Sequence, residues 1–270
     1  MSNVGSPIAQ VKDFRAFDPV RDLHLLAQLI RRDFSARFAG SAFGIAWAVL
    51  QPLSLVLLYW FVFTVMIPGQ PVQGGGGEYV LFLISGLLPW LAINEGIMRA
   101  TTSIVENGAM VRRLPFRSEL LVFVPNASAV IFELVGLGLF TGFLLYRGIS
   151  LRGMWLLPLA LLFQLMIQVG IGLVLSAVHV FFRDVTQILG FVLSIVFFLS
   201  PILYSVEGRF KTIFMWNPMT PLLGLFRSAM LASPLPSPVS FVFLLTAATV
   251  IFGGGLFFFR RVQPGLVDLI

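Results

Sequence analysis

The ionisable side chains that could do chemistry are few, and several lie inside strongly apolar stretches. Glu133 sits near the middle of the apolar run 120–145 with no charged neighbour at helical spacing. A lone carboxylate at such depth is a proton-relay candidate by default. Without His or Lys at comparable depth a relay is poorly served, so a protonated or hydrogen-bonded structural Glu133 is the stronger of the two readings. Glu95 and Arg99 stand four residues apart and can neutralise each other on one helix face. The two histidines, His24 and His179, lack metal-ligand spacing, and Cys is absent. Neither lysine, Lys12 or Lys211, belongs to a phosphate-binding Gly-x-x-x-x-Gly-Lys-Ser/Thr loop, and no Gly-x-Ser-x-Gly or Ser-x-x-Lys occurs. No catalytic residue, metal site or resident cofactor is therefore assigned, and any ATP used must be bound by another chain.

Uncharged polar residues form a second class. Trp47, Gln51, Ser54, Leu58 and Phe61 fall on one narrow helical face, as do Gln187, Gly190, Ser194, Phe198, Pro201 and Ser205. Gln164, Gln168 and Gly172 continue the theme at four-residue steps. Amides, hydroxyls and aromatic rings on one face can line a path for a sugar. Small and polar residues also hold membrane helices together, and for any single face that packing role is favoured.

The elements carrying these residues are membrane helices. Six stretches, 44–67, 79–104, 120–145, 154–178, 188–203 and 239–259, approach the ~20 apolar residues a bilayer crossing needs, although the fifth is short. Continuous runs of this kind exclude alternating barrel strands. With 58% hydrophobic and 11% charged residues, against roughly 25% charged in soluble domains, the chain is predicted to be an all-α integral membrane protein. The expected organisation is a tail and amphipathic interfacial helix at 1–43, a six-span domain at 44–259 and a tail at 260–270. Residues 1–22 contain no apolar core for a cleavable signal. The net charge of +6 is topological rather than a sign of nucleic-acid binding. Arg31, Arg32, Arg37, Arg112, Arg113, Arg117, Arg183, Arg260 and Arg261 fall on the side where a cytoplasmic N-terminus puts them, with Lys12, Arg15 and Arg21. Only Arg147, Arg152, Arg209, Lys211 and Arg227 fall opposite. Both termini are then cytoplasmic.

Between the spans, Asp18-Pro19 reads as a helix start, followed by Leu23, Leu26, Ala27, Ile30 and Phe34 opposite Gln28, Arg31, Arg32 and Ser35. This predicts a helix lying in the inner headgroup layer, its arginines toward anionic lipid, as an anchor or as a docking site for a cytoplasmic partner. Residues 68–78 read as a flexible outer turn. The inner loop 105–119 sets Met110, Val111 and Leu114 beside Arg112 and Arg113, which fits a short surface helix contacting another protein. A bare topology signal explains the arginines but not the hydrophobes, and both readings stay open. Residues 204–237, rich in Pro, read as a pair of outer re-entrant or interfacial helices.

Five pieces in order resemble the permease subunits of ATP-binding-cassette polysaccharide exporters. They are Arg32-Asp33-Phe34-Ser35-Ala36-Arg37-Phe38 through Ser41, Gly44, Trp47 and Pro52; Gly86-Leu87-Leu88-Pro89-Trp90; Phe182-Arg183-Asp184-Val185; Ser200-Pro201-Ile202-Leu203-Tyr204; and Asn217-Pro218-Met219-Thr220-Pro221. The resemblance implies a homodimer in a bacterial inner membrane with two ATPase subunits, which bind ATP and Mg. Its cargo would be a lipid-linked glycan of O-antigen, capsule or teichoic-acid type. Met110, Val111, Arg112, Arg113, Leu114, Pro115 and Phe116 then resemble a coupling helix in a cleft of the ATPase, with Arg183 and Asp184 nearby. Arg31, Arg32, Asp33 and Arg37 mark a gate helix, and Trp47, Gln51, Ser54, Phe61, Trp90, Ser194, Phe198 and Ser205 become channel-wall candidates. The resemblance leaves open an envelope-spanning export partner. A drug or lipid exporter of the same fold, an ion-coupled carrier using Glu133 and a membrane glycosyltransferase are the rival functions.

Overall fold

The computed structural model describes residues 19–66, 76–113, 117–205, 214 and 216–266. The outer turn near 68–75, Leu114-Pro115-Phe116, much of 206–215 and the ends of both predicted tails lie outside the described residues. All regular structure among the described residues is helical.

Helix α1 spans Pro19–Phe38, with Asp22 in its first turn and Arg37 in its last, each complementing the helix dipole. The chain then turns through Gly40 and Gly44, at φ +78° and +50°, values that favour glycine. Helix α2 is Trp47–Phe61 and continues as a wider turn over Val62–Met66. Helix α3 runs Gly76–Glu106, α4 is the short Gly108–Arg113, and α5 is Glu119–Tyr146. Helix α6 covers Leu157–Phe181, α7 Val185–Leu199, α8 Met219–Leu231 and α9 Pro238–Leu266.

Four helical stretches among the described residues are long and apolar enough to cross a membrane: Glu78–Glu106, Glu119–Tyr146, Met154–Phe181 and Pro238–Gly265. The first and fifth predicted spans contain the shorter apolar helices Trp47–Phe61 and Val185–Leu199. The last predicted span extends beyond 259, so Arg260 and Arg261 ride on helix rather than on a tail.

Helices α3, α5 and α6 form the centre, and α9 packs along α6. That last pair approaches backbone to backbone: a Cβ added at Gly170 would lie 2.5 Å from Ile251 O, and one at Gly255 would collide with Gly170. Small residues at a crossing let dispersion contacts and weak hydrogen bonds act where apolar burial gives little drive. Helix α8 is buried along most of its length between α3 and α6. It starts where Asn217 Oδ1 accepts the Met219 amide, 2.9 Å, and ends at Ala232, whose φ is +51°.

Helix α1 does not stand apart from the bundle. Asp22 pairs with Arg117 at one end, and Arg37 stacks over Phe132 at the other. Fifteen positions separate 22 from 37 and 117 from 132, so α1 and the start of α5 advance side by side for ~22 Å. The predicted division of α1 into a lipid-facing basic side and an apolar side is therefore only partly observed. Arg31 and Arg32 are exposed, Arg32 reaching Asn107 just past α3, whereas Asp33 and Arg37 are half-buried against partners on α3.

Candidate functional site

Polar side chains gather at the two ends of the bundle. At the end carrying α1 and α4, an ion network joins α1 to α3. Asp33 Oδ1 accepts from Arg99 Nη2 at 2.5 Å, Glu95 accepts from Arg37, and Arg99 Nη1 reaches Glu95 at 3.5 Å. Arg32 donates to Asn107 Oδ1 at 3.3 Å, in the turn that opens α4. Arg37 lies 3.7 Å over the Phe132 ring, and Phe34 stacks on the same ring at 4.9 Å. Two charges of each sign and an aromatic floor tie α1 rigidly to the helix that leads into α4. The pair Glu95–Arg99, expected from spacing alone, is present but forms only the middle of this network.

On α4, Arg112 is exposed, while Met110 and Val111 are half-buried against the apolar cluster around Leu121 and Phe259. Helix α4 is thus braced from inside and offers its charged side outward. Arg183 and Asp184 are exposed at the turn between α6 and α7. Nearby, Glu119 accepts from Arg260 Nε at 3.0 Å and Arg117 stands 3.8 Å away, which ties the starts of α1 and α5 to the far end of α9.

At the opposite end, three of the sequence motifs meet in one clasp. Past α7 the chain breaks at Ser200-Pro201-Ile202, and Arg227 of α8 donates to Pro201 O at 2.6 Å and Ile202 O at 3.4 Å. The guanidinium lies 3.6 Å over Phe82 and fills the space left by Gly86, where an added Cβ would be 2.9 Å from Nη2. Asn217 donates to Leu199 O, and the Tyr79 hydroxyl donates to Leu203 O, each at 2.9 Å. A buried cation served by backbone carbonyls and a ring face holds the broken end of α7 in place.

The residues expected on a transport path are mostly on open surface. Trp47, Gln51, Ser54 and Phe61 of α2 and Ser194 and Phe198 of α7 are exposed, as is Ser205. The Ser54 and Ser194 hydroxyls bond their own helices, to Gln51 O and Gly190 O. Trp90 differs: it is 4% exposed and packs under Phe197 at 5.7 Å, so it supports the aromatic face of α7 from behind. Glu133 Oε2 accepts from Gln164, which gives the lone carboxylate a hydrogen-bonded setting. Gln168 and Asn126 Oδ1 lie on the same buried seam with no partner among the described residues.

A family model described as ABC-2 type transporter matches residues 24–231, from α1 through α8. The chain belongs to the ABC-2 type transporter family. The O-antigen export system permease protein RfbA of Myxococcus xanthus is 27% identical over 247 residues, covering 86% of this chain and 91% of the relative. A protein of the same name from Klebsiella pneumoniae is 25% identical over 204 residues, with 74% and 77% covered. The polysialic acid transport protein KpsM of Escherichia coli is 24% identical over 250 residues, with 88% and 93% covered.

As an ABC-2 family member the chain is a multi-pass membrane protein and a transport subunit. Two of its structural anchors escaped the sequence reading. Arg227 was counted only as an outer charge, although an arginine within an apolar, Pro-flanked helix signals a buried role. Asn107, in the loop between two predicted helices, gave no signal that it would receive Arg32.

Proposed function

We propose that this ABC-2 transporter subunit moves a lipid-linked polysaccharide out of the cytoplasm, driven by ATP hydrolysis on separate subunits. The observation that carries this reading is the agreement of its relatives. Proteins named for O-antigen export and for polysialic acid transport align with 74–88% of this chain. The working unit is a homodimer in the inner membrane with two ATPase chains, each spanning subunit crossing six times. The shorter helices α2 and α7 supply the first and fifth crossings. Helix α8 is one helix of the outer re-entrant pair expected within 204–237, the segment before it, 206–215, lying largely outside the described residues.

In this reading the α1 end faces the cytoplasm. ATPase movement acts on α4 and the Arg183-Asp184 turn, and passes through Asn107, Arg99 and Glu95 to α1, which gates lateral entry of the lipid-linked end. The exposed faces of α2 and α7, carrying Trp47, Gln51, Ser54, Phe61, Ser194 and Phe198, line the path against the second copy. Aromatic planes there grip successive sugars without fixing their identity, which suits a sliding polymer.

Loss of the chain from its cell tests this reading. Lipid-linked glycan should accumulate on the cytoplasmic side and surface glycan should disappear, both restored by the intact gene. Unchanged surface glycan would contradict it.

A further inference from the structure

At the α1 end of the bundle a second group of charges surrounds an apolar recess. Helices α5 and α9 both pack on α6, and α1 lies along the start of α5. A groove of about 290 Å³ is left between α1, α5 and α9. Asp22, Arg117, Glu119 and Arg260 form its rim, and Leu23, Leu120, Phe123 and Leu256 its walls. None of these residues belongs to the glycan path, to the outward side of α4 or to the Arg183-Asp184 turn. Helix α5 runs away from the rim and α9 runs toward it, so Phe123 and Leu256 each stand one turn deeper than Glu119 and Arg260. Another turn down, Phe252 meets Phe123 edge to face, 6.2 Å between ring centres. From Arg260 to Phe252 is eight helical residues, ~12 Å of rise. That lies within the ~15 Å that one leaflet contributes to a ~30 Å hydrocarbon core. Beside Phe252, Gly253 is exposed with nothing within 4 Å of an added Cβ, so α9 is open at this depth. The recess has the depth of the upper part of one acyl chain, directly below a charged rim.

The rim charges select the head. Asp22 lies 3.6 Å from Arg117, and Glu119 accepts from Arg260 Nε at 3.0 Å with Arg117 3.8 Å away. Both carboxylates are therefore already matched by arginines. Arg260 is half exposed, and only its Nε is engaged among the described residues. Arg261, the next residue on α9, is exposed and makes no ion pair or hydrogen bond among the described residues. Three arginines thus stand against two carboxylates, with the surplus on the side of α9. A guanidinium meets a phosphate through charge-assisted, often paired hydrogen bonds. A phospholipid head that carries no cation keeps the full negative charge that this surplus attracts. Choline and ethanolamine heads cancel it with their own ammonium.

We propose that this groove holds one anionic glycerophospholipid, its phosphate at Arg260 with Arg261 beside it, and one acyl chain between Leu23, Phe123 and Leu256. Its place in the cytoplasmic leaflet rests on the orientation given under the proposed function, but the binding itself does not. The lipid joins the start of α1 to α5 and α9, at the end of α1 opposite Arg37.

The test is lipid retention by the full-length protein purified in mild detergent, read by mass spectrometry, with exchange in nanodiscs among phosphatidylglycerol, phosphatidylethanolamine and phosphatidylcholine. The expected result is a phosphatidylglycerol that survives delipidating washes and is not displaced by the other two. Arg261→Gln removes the surplus charge without breaking a contact, and should cut this preference about fivefold, the worth of one basic residue at an anionic surface. Leu23→Asp, at a wall position 68% exposed, should abolish retention without disturbing the bundle. Equal retention of phosphatidylcholine or phosphatidylethanolamine by the wild-type protein would overturn the proposal without recourse to any variant. So would an unchanged preference in R261Q. The occupant is read directly by a benzophenone-bearing amino acid in place of Leu23, irradiated in native membranes. An adduct with the mass of an anionic phospholipid is expected, and an adduct to the ATPase or to a second copy of this chain in its place would overturn the proposal. Because neither ATP hydrolysis nor glycan export enters the readout, failure here leaves the export reading standing.

Discussion

Asp33 on α1 accepts from Arg99 on α3 at 2.5 Å, across 66 positions of sequence. The contact converts a short motif into a mechanical link, because Arg99 also shares Glu95 with Arg37. Any movement of the α3 end that carries α4 must either drag α1 with it or break ion pairs in a partly buried setting.

Charge reversal at either end of that link should therefore uncouple the two helices. Asp33→Arg or Arg99→Asp alone should reduce export while leaving ATP hydrolysis, and the double variant should restore part of it. The coupling energy expected from a double-mutant cycle is about 1 kcal/mol, near the low end for contacting residues because Arg99 is 36% exposed. Additive losses in the cycle would show that the pair transmits nothing.

Arg227 should matter more to folding than a bare topology charge would. Replacing it by Met leaves Pro201 O and Ile202 O without their donor, at a cost of roughly 1–3 kcal/mol per stranded group. A lowered melting temperature in detergent is the expected readout. Gly86→Ala presses on the same guanidinium, so its effect should shrink in the Arg227→Met background. An unchanged melting point in R227M would remove the clasp from the account.

The crossing of α6 and α9 depends on absent side chains. Gly170→Leu should separate them and cause loss of assembled protein, since the added carbons meet the Ile251 and Phe252 backbone. Gly253→Ala, where nothing lies within 4 Å of the added Cβ, should be tolerated. Equal yields of the two variants would contradict the packing argument.

On α4, Arg112 is the exposed cation of a helix whose apolar residues are already engaged. Arg112→Glu should weaken association with the ATPase more at low salt than at high salt, where charge contacts are screened. Co-purification of the ATPase at the wild-type ratio under both conditions would count against this contact.

Much of the fold was legible because it rests on local rules. Asp18-Pro19 announced the start of α1 at Pro19, and long apolar runs announced four spans close to their observed bounds. The short surface helix inside 105–119 was legible from its mix of Met110, Val111 and flanking arginines. What stayed hidden depends on distant pairing. Residue spacing linked Arg99 to Glu95, but nothing in spacing could add Asp33 and Arg37. Trp90 and Met110 carry side chains suited equally to an open face and to packing, and the structure turns them inward because Phe197 and the inner cluster offer more contact. Arg227 had carbonyl partners that exist only because the chain breaks at Pro201, so its role appears only in three dimensions.

The central claim is most directly tested by isolating the tagged chain from native membranes in mild detergent and identifying every chain that comes with it. The account predicts a stoichiometric partner carrying a phosphate-binding loop, bound through the α4 side, and ATP-dependent movement of lipid-linked glycan when the complex is placed in vesicles. A chain that emerges alone, with no nucleotide-dependent partner and transport that persists without ATP, would contradict it.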